Sequence, residues 1–249
     1  MPWSTKGDME EGLIRPMKTR NDPPAGTDVL LALIPQNFDH LVNSVQGKNP
    51  VSYDLGFFKV CPVMGGSISL CGPFLGAPQA VMGLEKLIAM GAERIWVYGW
   101  CGSLQPDLKI GDLVIPTEAV SEEGTSRHYP VGERPVRTDE ALNHKVEAAL
   151  KKEGYAFRKG TVWTTDAPYR ETPHKVKTYR GKGVLAVEME MSALITLAVF
   201  RSVRLAGLLV VSDELFDLKW RTGFKDTKFK DTSRGAAELL LQVIASQKK

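Results

Sequence analysis

Residues 183–215 read GVLAVEMEMSALITLAVF, RSVR, LAGLLVVSDEL, and the fold is decided there. Val184 to Val187 make an apolar run that leads directly into Glu188-Met189-Glu190. Leu194, Ile195, Leu197 and Ala198 then recur at helical spacing, so the glutamates stand where a strand hands over to a helix. A second apolar run, Leu205 to Val211, has the character of a buried parallel strand and ends in Ser212-Asp213-Glu214. Strand, helix and strand in that order predict a right-handed crossover in an open α/β sheet, where ligands bind beyond the carboxyl ends of the strands. Both acidic clusters are therefore expected to face one crevice. Each acid also has a plainer reading, Glu190 as favourable charge at a helix N-terminus and Asp213 as a cap or turn residue. Acids at two matching strand ends, bordered by apolar sequence, weigh towards function. A carboxylate in such surroundings is costly to desolvate without a partner, and sugar hydroxyls are suitable partners.

The rest of the chain narrows the class. With 249 residues, 43% hydrophobic and 24% charged, it can bury a substantial single core. A net charge of +3, with basic residues spread out, argues against nucleic acid or a membrane as partner. Cys61, Cys71 and Cys101 have no metal or redox spacing and cannot all pair. Buried thiols in a reducing cytoplasm are expected. No apolar run reaches membrane-spanning length, and no signal-peptide pattern opens the chain.

Residues 1–27 are polar and proline-bearing, and are expected to form an extended arm packed on a neighbouring subunit. Residues 28–42, DVLLALIPQNFDHLV, begin as a strand and are expected to turn at Pro35-Gln36-Asn37. Phe57 to Val63 and Ser67 to Leu70 suggest two further strands separated by Gly65-Gly66. Residues 76–95, GAPQAVMGLEKLIAMGAERI, predict an amphipathic helix with Val81, Leu84, Leu87 and Ile88 on one side and Gly91 as its stop. Residues 95–116 read as strand, glycine turn and strand, with Gly99 and Gly102 letting backbone N–H groups approach a ligand. Asp139 to Lys151 suggests a helix, residues 163–179 a loop over a cleft, and Ser233 to Ser246 the last helix.

GAPQAVMGLEKLIAMGA, YGWCGSL with IGDLVIP, EEGTSRHY, VEMEMSAL and VVSDEL, in that order, resemble the nucleoside phosphorylase and nucleosidase superfamily. The resemblance covers nearly the whole chain from residue 28, and implies one catalytic domain over 28–249. The fold it implies is a three-layer α/β/α arrangement around a central mixed, partly barrel-like sheet. It also implies a homo-oligomer, dimeric to hexameric, that acts on a small-molecule nucleoside without metal or cofactor. Inorganic phosphate enters only as a possible co-substrate.

The resemblance also assigns roles. Asp213 matches the acid that stabilises the departing base, a contribution of ~10²–10⁴-fold for general acid catalysis. Its presence points to a purine-like base. Glu190 matches the ribose-hydroxyl acceptor, Met189 the thioether packed on the sugar, and Glu188 the first acid of that motif. Tyr169 and Arg170 fall in the base-contacting segment, with loop packing as the plainer alternative. Arg221 or Lys225 is the candidate to support the acid. His128, in a family signature, is more simply structural.

The acceptor is the point of departure from the family pattern. Gln36 and His40 stand where phosphorolytic relatives have glycine and arginine. In the central turn, around Gly99, Val97 and Trp100 replace an arginine and a threonine. Phosphate needs charge-assisted, often bidentate contacts that valine and tryptophan do not supply. Water is therefore slightly favoured over phosphate, although the glutamate that activates water in hydrolytic relatives has no clear counterpart. Asp39, Glu188 and His40 are the nearest substitutes. The alternatives are phosphorolysis at an atypical anion site using His40 or Arg127, and a nucleoside sensor without turnover.

Overall fold

The run DVLLA forms β1 (Asp28–Ala32), every residue of which is buried. In the computed structural model, which describes residues 12–46 and 51–247, this strand lies between β4 (Ile68–Gly72) and β5 (Arg94–Ser103), parallel to both. An outer wing, β2 (Tyr53–Asp54) and β3 (Lys59–Val63), continues antiparallel beyond β4. On the other side come β6 (Leu113–Glu122), β7 (Phe157–Thr165), β8 (Ala186–Glu188), β9 (Arg204–Glu214) and β10 (Arg221–Thr222). The sheet order is β10-β9-β6-β7-β8-β5-β1-β4-β3-β2, and β9 also pairs with β5. That extra pairing closes β5, β9, β6, β7 and β8 into a small mixed barrel.

Helices cover both faces. α2 (Ala77–Met90) and α5 (Met191–Arg201) pack on one core cluster with Val29, Val97, Leu205 and Leu209. α1 (Pro35–Gln46), α3 (Glu140–Lys152) and α6 (Thr227–Ser246) pack on another with Leu30, Trp96, Tyr98 and Leu208. α4 (Pro173–Gly181) closes a smaller cluster around Trp163. The α/β/α arrangement with a partly barrel-like mixed sheet is the one expected. No described helix is long and apolar enough to cross a membrane.

Several expectations are corrected. Pro35-Gln36-Asn37 is the first turn of α1 and not a loop; proline suits a first helical turn, where its missing N–H has no partner to lose. Gly99 and Gly102 lie inside β5, which runs unbroken to Ser103, so the turn comes later. α6 begins at Thr227, before the expected Ser233, because Asp226 accepts the Phe229 N–H and caps it. Trp163 to Thr165 end a strand, so the loop over the cleft is shorter than 163–179.

The predicted crossover is also different in kind. β8 is antiparallel to β5, whereas β9 is parallel to it, so the two acid-bearing strands run in opposite senses with β5 between them. Of the expected arm, residues 1–11 lie outside the described residues. Further on, Lys86 of α2 reaches the Met17 carbonyl at 2.7 Å and the Asp22 carboxylate at 2.6 Å. Residues 12–21 are exposed, and burial on its own chain begins only at Asp22.

Candidate active site

The acids meet at Gly102. This residue pairs with Val187 of β8 on one side and with Asp213 of β9 on the other. A Cβ there would lie 2.6 Å from Leu215 Cδ1 and 3.0 Å from Asp213 Oδ2, so any larger residue would displace these two side chains. The β5–β9 register slips after Cys101, and Ser212 stands opposite no β5 residue. This bulge re-aims the end of β9.

Glu188, Met189, Glu190 and Asp213 line one cavity of about 430 Å³, within the range of small-molecule sites. Trp100, Phe74, Tyr169, Trp220 and Phe224 supply aromatic surface to it, and Glu171 a fourth carboxyl group. No lysine, arginine or histidine among the described residues lines it.

Each acid is held differently. Glu188 Oε2 accepts the N–H groups of Glu190 at 2.7 Å and Met191 at 2.6 Å, while the Thr164 hydroxyl donates to Oε1. Glu188 therefore caps the start of α5. Glu190 occupies the N-cap position without a side-chain cap bond. Its Oε1 instead accepts the Gly76 N–H at 2.6 Å. Gly76, with φ 79°, starts α2 in a left-handed conformation that aims this N–H across the chain. Burial pushes both glutamate pKa values up; the hydrogen bonds hold Glu188 back, and Glu188 pushes Glu190 higher.

Asp213 Oδ1 accepts the Ser212 hydroxyl at 2.7 Å, and Oδ2 accepts the Trp220 indole N–H at 3.0 Å. Burial raises its pKa, and these two bonds oppose the rise. Arg221 instead pairs with Asp217, and Lys225 is exposed; the donors to Asp213 are Ser212 and Trp220. Trp220 was missed in the sequence because it reaches the acid from a loop seven residues on. An indole N–H has no pattern to announce it.

The other expected residues divide. Tyr169 borders the cavity while 97% exposed, but Arg170 beside it does not line it; Pro168 and Glu171 do. Trp100 lines the cavity, packs edge-on against Phe229 at 5.0 Å and donates its N–H to Ser233 Oγ at 3.2 Å. Gly99 faces Leu33 and Leu209, and Val97 is in the core. His40 is off the cavity on α1, bound to Glu238 at 2.7 Å, and Asp39 is likewise off it. His128 lines a separate groove with Ile14 and Tyr129; Arg127 is outside the candidate cavity.

Fold and site together set four carboxyl groups and several aromatic rings around one cavity beside a small mixed barrel. Residues 28–246 match the model of the phosphorylase superfamily, and the chain belongs to that family. It is 32% identical over 182 residues to a DeoD-type purine nucleoside phosphorylase of Bacillus cytotoxicus, covering 72% of this chain and 77% of that protein. It is 29% identical over 180 residues to a guanosine phosphorylase of Halorubrum lacusprofundi, 72% and 74% of the two chains. A purine nucleoside phosphorylase from Toxoplasma gondii solved with immucillin-H shares the fold, with TM-score 0.80, 23% identity and 90% and 92% coverage. A uridine phosphorylase from Vibrio fischeri does so with TM-score 0.78, 22% identity and 89% and 93% coverage. The protein is an enzyme of N-glycosidic bond cleavage.

Proposed function

We propose that this enzyme releases the free base from a purine-like nucleoside in the cavity of about 430 Å³ around Gly102. The carrying observation is that Glu190 and Asp213, 23 positions apart, face that one cavity from opposite sides of β5. With Oε1 taken by Gly76, Glu190 has Oε2 for ribose hydroxyls, and Met189 packs on the sugar. Holding the sugar in one orientation lowers the entropic part of the barrier. Cleavage leaves negative charge on the base, which Asp213 relieves by proton donation or hydrogen bonding at the imidazole side of a purine. Tyr169, Trp220 and Phe224 provide surfaces on which a heterocycle stacks.

Phosphate is the acceptor indicated by the relatives, which are named as phosphorylases. The sequence expectation of water finds no support in them. One observation keeps hydrolysis as a second reading: acids and aromatic rings, with no cationic side chain, line the described cavity, and an unscreened phosphate dianion is repelled there. Assembly into a homo-oligomer and a cytoplasmic location belong to the same proposal.

Incubation of the protein with guanosine, inosine, adenosine and uridine, with and without phosphate, tests both readings by chromatographic detection of free base. Purine release that rises with phosphate is expected. Release independent of phosphate favours water. Binding without release overturns the enzymatic proposal in favour of a sensor.

A further inference from the structure

Glu171 is the carboxyl group of the cavity that the proposed chemistry leaves without a task. It follows the short 3-10 turn Pro168–Arg170, and its N–H is bonded to the Pro168 carbonyl at 3.2 Å. Thr172 then caps α4 by accepting the Lys175 N–H, so the backbone is fixed on both sides of Glu171. Glu171 lines the cavity half-buried, and no side-chain hydrogen bond to it is found among the described residues. Asp213 is in the opposite condition, with a donor on each oxygen.

We propose that Glu171 is the partner carboxyl of Asp213, the two sharing one proton that is delivered to the departing base. This rests on the nucleoside-cleaving reading above. Two carboxyls, each half-buried in one cavity without a cation, cannot both ionise at low cost. The donors on Asp213 favour its charged form, so in the empty site the proton resides on Glu171. Burial, followed by the charge of Asp213, pushes the Glu171 pKa up to about 7. Lys175 of α4 opposes this weakly, because its ammonium is held at 2.7 Å by Glu122. The other titratable groups lining the cavity are Glu188, Glu190, Cys101 and Tyr169.

In the reaction the bond from C1′ to the base nitrogen breaks, and its electron pair goes to the base. The proton of the pair moves to the base, leaving two carboxylates. The acceptor oxygen, of hydrogen phosphate or water, bonds to C1′ and releases its proton, which restores the pair. Glu171 acts through Asp213 and is a positioning residue for that proton.

The test compares kcat/KM against pH for wild type, Glu171→Gln and Glu171→Asp on the best nucleoside of the panel. Without Glu171 the last proton is held by Asp213 alone, whose two donors favour its charged form, so it is lost at lower pH. The alkaline limb of Glu171→Gln should therefore shift down by about one unit, a roughly tenfold loss near pH 8 with little change near pH 5. Glu171→Asp should restore most of the limb. In a second arm, carbon-13 NMR of glutamate-labelled protein should show, beside the raised signals of Glu188 and Glu190, a further carboxyl signal that titrates near neutrality and is missing from Glu171→Gln. An unmoved alkaline limb, or a missing signal that titrates in the ordinary glutamate range, overturns the inference. Base release retained by Asp213→Asn would instead overturn the function on which it rests. If the panel yields no turnover, the NMR arm decides the shared proton by itself.

Discussion

Replacing Glu188 with alanine should unfold the start of α5 and not simply weaken a sugar contact. In the folded chain this carboxylate takes two backbone N–H groups, of Glu190 and Met191, and the Thr164 hydroxyl. The hydroxyl can turn elsewhere, but the two N–H groups are fixed by the helix. A buried donor left unmade costs about 1–3 kcal/mol, so Glu188→Ala should cost roughly 4 kcal/mol. At this chain length that lowers Tm by about 8–16 °C. Glu188→Gln keeps one oxygen for the two N–H groups and should cost only about 1 kcal/mol.

The effect also carries a pH sign. Burial raises the Glu188 pKa in the folded state, so wild-type stability falls as pH rises from the ordinary glutamate value through the raised one. Both variants lack that penalty, and their disadvantage should shrink between about pH 5 and pH 8. Calorimetric melting at both pH values, together with KM for the best nucleoside, measures this. An alanine variant that melts within about 2 °C of wild type near pH 5 would refute the capping role.

Three further perturbations test the acid end. Asp213→Asn should lower kcat by about 10²–10⁴-fold with nucleoside affinity nearly unchanged, as seen in steady-state rates beside calorimetric binding. Trp220→Phe removes the bond at 3.0 Å that holds the Asp213 pKa down. Its alkaline limb in kcat/KM should move up by roughly half to one unit; a downward move contradicts the assignment. Gly102→Ala puts a methyl group 2.6 Å from Leu215 Cδ1 and 3.0 Å from Asp213 Oδ2. It should cost about 1–3 kcal/mol of stability and displace the acid, with a larger fall in kcat than in melting temperature.

What could be read in the chain was what leaves a local imprint. The apolar runs ending in Glu188 and Asp213, and the helix stopped by Gly91 at φ 115°, are such features. Legibility failed where one residue type serves two geometries. Pro35 suits a turn as well as a first helical turn, and Gly102 makes room for side chains inside a strand and does not reverse the chain. The opposed directions of β8 and β9 depend on barrel closure through β5, which no window of sequence contains. Trp220 and Glu171 reach the cavity from loops whose paths are set by tertiary contacts.

Ser212, which stands opposite no β5 residue, makes the chemistry a matter of counting. Side chains along a regular strand alternate between faces, whereas at this bulge the consecutive Ser212 and Asp213 both line the cavity. A chain with Ser212 deleted would lose the bulge, the hydroxyl that donates to Asp213 Oδ1 and the carbonyl that accepts the Gly223 N–H. Kinship in shape therefore leaves the reaction undecided in relatives of this barrel, and the place to look first is the spacing between the last apolar residue of the strand and its aspartate.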